Sequence, residues 1–193
     1  IQAEKSCREL IKNNSTEIMY EIKLAQILFY QGLYDDSDIA LNQILKKLKM
    51  DHPLSNDIME AIAILIGFKH NQDDFIIFSK AQLNIQQNKR TEALDKLTNL
   101  FNSTEIYIAD MAKYQYAWLT YLQNDVENTN NQLNEITNET IFKELAHIFK
   151  SEIHDYVNNN KNEAIESYLL FLELYPNSIY YDDIRLRLRE IAS

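Results

Sequence analysis

Two glycines and two prolines in 193 residues are too few for a sheet protein, whose turns draw on both. Sharp turns must fall instead to Asn and Asp, which cluster at Asn13-Asn14, Asn71-Gln72-Asp73 and Asn158-Asn159-Asn160. Asn enters the left-handed helical region more readily than other side-chain-bearing residues, so it can end helices in glycine's place. Cys7 is the one cysteine, which excludes an intrachain disulfide and a thiolate metal cluster. The apolar run 62–68 is far too short to cross a bilayer, so direct membrane insertion is not expected. Basic charge is scarce as well: 19 Lys and Arg stand against 29 Asp and Glu, a formal net charge of -10. A duplex-binding surface needs a concentrated basic stripe. Lys46-Lys47 with Lys49 sits where it offsets a helix dipole, and Arg185, Arg187 and Arg189 alternate around a helix, so nucleic acid is not expected as a partner. The chain opens Ile1-Gln2-Ala3-Glu4, and no signal peptide is visible.

What remains is helix. Apolar residues make up 46% of the chain and recur at helical spacing nearly from end to end. A weak, mostly polar helix over 2–13 is followed by Asn14-Ser15-Thr16-Glu17, an N-cap signal. Helical hairpins are then expected over 17–49, 73–102, 104–136 and 139–175. Pro53 breaks the chain and suits the start of an extra helix over 54–67. Pro176 ends the last hairpin, and a capping helix over 178–191 carries Tyr181, Ile184, Leu188 and Ile191 on one stripe. The expectation is one all-α domain over 1–193 with about ten or eleven helices.

Three segments share one layout. Ala25 is followed by Gly32, Tyr34, Ser37, Leu41 and Ile44; Ala81, at the same distances, by Asn88, Arg90, Ala93, Leu97 and Leu100; Ala117 by Asn124, Val126, Thr129, Leu133 and Ile136. A divergent fourth copy ends in Glu163-Ala164, Tyr168, Phe171 and Pro176. Small residues at these places let two helices approach closely, while the larger ones fill the seam.

This layout resembles the tetratricopeptide repeat, which combines a small residue, a turn glycine, an alanine in the second helix and a closing proline. Segment 23–45 carries it through Ala25, Gly32, Tyr34 and Leu41, and segment 162–176 resembles the second helix of a repeat. The closing stretch from Tyr175-Pro176-Asn177-Ser178 through Arg189 is similar to the ends of repeat proteins common in Bacteroidetes. The resemblance implies a right-handed superhelix of antiparallel helix pairs, an αα solenoid that serves as a protein-binding scaffold and not as an enzyme. It also implies placement in the periplasm or cell envelope before the cytoplasm. The first helices of such pairs line the concave face, which singles out Gln26, Tyr30, Gln82, Gln86, Tyr114, Trp118, Tyr121 and Tyr156. The expected partner is a protein or peptide, or another part of the parent polypeptide. Aromatic residues with a polar tip suit such a surface, because they bury much area at little entropy cost. The same rings would also serve ordinary hairpin packing. A structural spacer or arm within a larger cell-envelope protein is the other reading.

Sites of chemistry find little support. His147 and His154 share a helix face but stand two turns, about 10.5 Å, apart along the axis, too far to share one ion. Asp35-Asp36 with Asp38 lacks the central glycine and terminal glutamate of a calcium loop, and first-turn aspartates already favour the helix dipole. There is no glycine-rich phosphate loop and no serine elbow. No catalytic residue, cofactor or metal is therefore expected.

Overall fold

The computed structural model describes residues 2–13, 18–49 and 51–192. Among these the regular structure is all helical: α1 (Gln2–Asn13), α2 (Ile18–Tyr30), α3 (Tyr34–Lys47), α4 (Ser55–Gly67), α5 (Gln72–Gln86), α6 (Arg90–Thr98), α7 (Ile106–Tyr121), α8 (Val126–Asn134), α9 (Ile141–Glu152), α10 (Lys161–Leu174) and α11 (Tyr181–Ala192). A π-helical turn, Ile153–Val157, continues α9. The N-cap signal at Asn14-Ser15-Thr16-Glu17 lies outside the described residues.

Three helices end in the same way. At the end of α2 the Gly32 amide donates to the Phe29 carbonyl, and the Leu33 amide reaches back five residues to Leu28. At the end of α5 Asn88 donates to Ile85 and Lys89 to Asn84; at the end of α7 Asn124 donates to Tyr121 and Asp125 to Thr120. Gly32, Asn88 and Asn124 hold positive φ of 73°, 56° and 61°, the left-handed residue that closes a Schellman motif. Five residues beyond these corners Ser37, Ala93 and Thr129 are fully buried, and seven residues before them Ala25, Ala81 and Ala117 are too. The shared layout read from the sequence is thus a shared corner, with small buried side chains on both sides of it.

Two helices depart from their expected lengths. α6 stops at Thr98, four residues short of the end expected at residue 102, because the Thr98 hydroxyl and the Asn99 side-chain amide both turn back to the Asp95 carbonyl at 2.8 Å. The hairpin expected from residue 139 opens its first helix at Ile141 instead. Asn138 and Thr140 are held outside it by hydrogen bonds of 3.0 and 2.8 Å to the fully buried Asp110 carboxylate.

The chain forms two compact units, 1–108 and 109–193, with the division in the first turn of α7. In the first unit α2 packs on α1, α3 and α5, α3 on α4, and α5 on α6. Its core is a set of rings: Phe29 meets Phe75 and Phe78 edge-on at 5.1 and 6.2 Å, and Phe68 meets the same two at 5.6 and 5.0 Å. Gly32 is needed here twice over, for its φ and because a Cβ would stand 3.2 Å from the Ile76 side chain. In the second unit α8 packs on α9, and α10 on α9 and α11. Thr120 of α7 meets Thr129 of α8 hydroxyl to hydroxyl at 3.0 Å. Ala164, Tyr168, Phe171, Ile184 and Ile191 make one core cluster between α10 and α11.

Candidate aromatic recess

Tyr114, Trp118 and Tyr121 follow one another at steps of four and three along α7, so they share one of its faces. The neighbours Ala117, Leu119 and Thr120 are buried, which fixes the helix and turns the aromatic face towards α9. Phe142 and Phe149, seven residues apart on α9, meet it. Tyr114 lies 5.8 Å from Phe142 and 6.1 Å from Phe149; Trp118 and Tyr121 lie 5.5 and 5.2 Å from Phe149 and 5.8 Å from each other. Burial raises the Tyr114 phenol, with the Glu152 carboxylate adding to the effect.

Beside these rings opens a recess of about 210 Å³, lined by Trp118, Tyr121, Phe149, Glu152, Ile153 and Tyr156. Ile153 forms its buried floor, whereas Trp118 and Tyr156 are 47% and 57% exposed. Desolvation raises the Glu152 carboxyl above its usual range, and the nearby Asp155 carboxylate raises it further. Among the described residues no hydrogen bond or ion pair compensates Glu152.

Tyr156 is also the wall of a second recess, of about 430 Å³, shared with Asp155, Asn159, Lys161, Arg187 and Ile191. There the Arg187 guanidinium lies 4.7 Å from the Tyr156 ring centroid. It donates to both Asp155 oxygens, at 2.7 and 3.0 Å, and to Glu190 at 3.0 Å. The nearly buried Asp155 carboxylate accepts from the Tyr168 hydroxyl as well, at 3.2 Å.

The π turn brings these groups together. In the first three corners the small buried residue stands seven positions before the left-handed one. In the fourth, the buried Ser151 stands eight before Asn159, whose φ is 49°, and the Asn160 amide reaches back six residues to His154 instead of five. The π turn therefore absorbs one extra residue, and Ala164 still falls five beyond the corner and fully buried. Ser151 meets Ser167 of α10 hydroxyl to hydroxyl at 2.7 Å.

Of the residues singled out by sequence, Trp118, Tyr121 and Tyr156 line one recess and Tyr114 adjoins it through Phe149. The others belong to the first unit. Gln26 is exposed, accepts from Lys23 Nζ at 3.0 Å and lines a separate recess of about 200 Å³ with Met19, Ile22, Leu41 and Ile58. Tyr30 is half-buried, edge-on to Phe29 at 5.9 Å, and burial raises its phenol. Gln82 is half-buried and Gln86 exposed, one turn apart on α5. Sequence reasoning misses Phe149, Glu152 and Ile153. The heptad step from Phe142 to Phe149, with Glu152 one turn on, is the signal that carries them. Among the described residues no group of three or more His, Cys, Asp or Glu side chains is arranged to hold a metal ion. Comparison with family models, with curated proteins and with solved structures finds no match.

Proposed function

We propose that this chain is a non-enzymatic protein-interaction module, a right-handed superhelix of tetratricopeptide-like helix pairs whose partner is a protein or peptide. The single observation that carries the reading is the half-open recess at Trp118 and Tyr156, where large rings with polar tips stay exposed beside a well-packed core. Such rings dominate binding energy at protein interfaces. The repeated corner supports the solenoid part of the reading, since a unit that turns the chain alike each time suits stacking.

The test is retention of a partner by the immobilised chain, wild type against Trp118→Ala, with thermal melts of both. Trp118→Ala is expected to lose a partner that the wild type holds, with a melting midpoint within a few degrees of wild type. Equal retention by both proteins, or a collapse of the melt, would make Trp118 a packing residue and end this assignment of the surface.

A structural arm within a larger cell-envelope protein is the second reading. It is favoured by apolar side chains left exposed on α10 and α11, namely Leu169, Leu170, Leu174 and Leu186, and by Ile179 at 82% exposure. Under it, Leu170→Asp with Leu174→Asp abolishes association and Trp118→Ala does not.

A further inference from the structure

Resting on the interaction reading, we infer that the recess between α7 and the π turn takes a cationic side chain, lysine or arginine, from the partner. Four rings border or line it: Trp118, Tyr121, Phe149 and Tyr156. The faces of such rings carry partial negative charge and attract an ammonium or guanidinium group. Glu152 places its carboxyl group at the same recess and has no cation of its own among the described residues.

Other occupants fit less well. An apolar side chain would cover Glu152 and strip it of water without offering it a partner, which costs free energy. An anion would meet the Glu152 carboxylate and the ring faces, both negative. A cation satisfies the rings and the carboxylate together.

The protein already contains this arrangement once. In the second recess that Tyr156 lines, Arg187 lies 4.7 Å from the ring centroid and is held by Asp155 at 2.7 Å. Ring, cation and carboxylate there form a filled version of what Tyr156 and Glu152 offer in the first recess. Tyr156 lies in the π turn and lines both recesses, and turns of this kind gather at functional sites. The formal net charge of -10 would draw a basic segment towards the chain.

Trp118 is the only tryptophan, so fluorescence excited at the long-wavelength edge, where tyrosine scarcely absorbs, reports on this recess. The probes are blocked tripeptides, alanyl-lysyl-alanine and alanyl-arginyl-alanine, against the neutral norleucine counterpart, all at one ionic strength. Both cationic peptides are expected to give a saturable change, with binding about fivefold or more weaker for the norleucine peptide and in Glu152→Gln. Glu152→Gln should melt no lower than wild type near neutral pH, since it removes a carboxylate whose ionised form is held back by desolvation and by Asp155. Tyr156→Leu should lose the change while keeping its helical circular dichroism. A norleucine peptide that binds as well as the cationic ones, or a Glu152→Gln chain that binds lysine undiminished, overturns the cation assignment. So does silence with every peptide when Trp118→Ala still loses its captured partner, and then the interaction reading survives. If the cationic peptides bind and partner capture is indifferent to Trp118→Ala, the cation site stands and the interaction reading at this surface falls.

Discussion

Asn88 and Asn124 hold φ of 56° and 61° where Gly32 holds 73°, and each gives its amide to the carbonyl three residues back. The left-handed region crowds a Cβ against the carbonyl oxygen, and asparagine tolerates this better than alanine does. Asn88→Ala and Asn124→Ala should each destabilise the chain by about 1 kcal/mol. Asn88→Gly should be nearly neutral, because glycine gains in the turn what it gives up in the unfolded chain. Urea unfolding midpoints decide the matter, and an alanine variant as stable as the glycine variant would mean that these corners do not depend on the left-handed residue. The same logic separates Trp118 from Tyr121. Both touch Phe149, but Trp118 leaves nearly half its surface to solvent, so its removal costs binding before it costs fold.

At the scale of the element, regular helices and irregular ones are not equally legible in the sequence. Fixed distances between small residues place the corners after α2, α5 and α7 because each corner is local: one left-handed residue, one buried small residue five positions on, and bonds that reach back no more than five residues. The fourth corner hides from such a comparison, since its extra residue shifts Ser151 out of register with Ala25, Ala81 and Ala117. What stabilises that extra residue is not local either. Asp155, in the π turn, is held by Arg187, 32 positions later, and no pattern near residue 155 announces that pairing. Likewise the late start of α9 depends on Asp110, 28 positions before Asn138. The recess is half visible for the same reason: Trp118 and Tyr121 belong to an evident helical face, whereas Glu152 acquires meaning only when α9 is laid against α7. Deleting Val157 tests whether the π turn matters. The deletion restores the seven-residue interval, so α9 can run on as ordinary helix, and Tyr156 rotates by part of a turn. Helical circular dichroism should be retained while the Trp118 response to the lysyl peptide is lost. An unchanged response would show that Tyr156 does not depend on the bulge for its position.

At the scale of the whole molecule the deciding quantity is charge. A formal net charge of -10 keeps any folded chain soluble, and that use alone would leave partner binding indifferent to salt. A cationic partner side chain makes a different demand. Screening shortens from about 10 Å at 0.1 M salt to about 3 Å at 1 M, so long-range attraction of a basic segment is lost over that interval. Ring burial at Trp118 and Tyr156 is not screened in this way, and the hydrophobic part of the affinity persists. Association of a lysine-bearing partner peptide, followed by stopped-flow fluorescence of Trp118, should therefore slow by about tenfold between those salt concentrations. Its dissociation rate should rise far less, since partly buried contacts inside the recess are screened much less than charges in open solvent. An association rate flat across the salt series would mean that acidity serves only solubility, and that whatever enters the recess is not drawn there by charge.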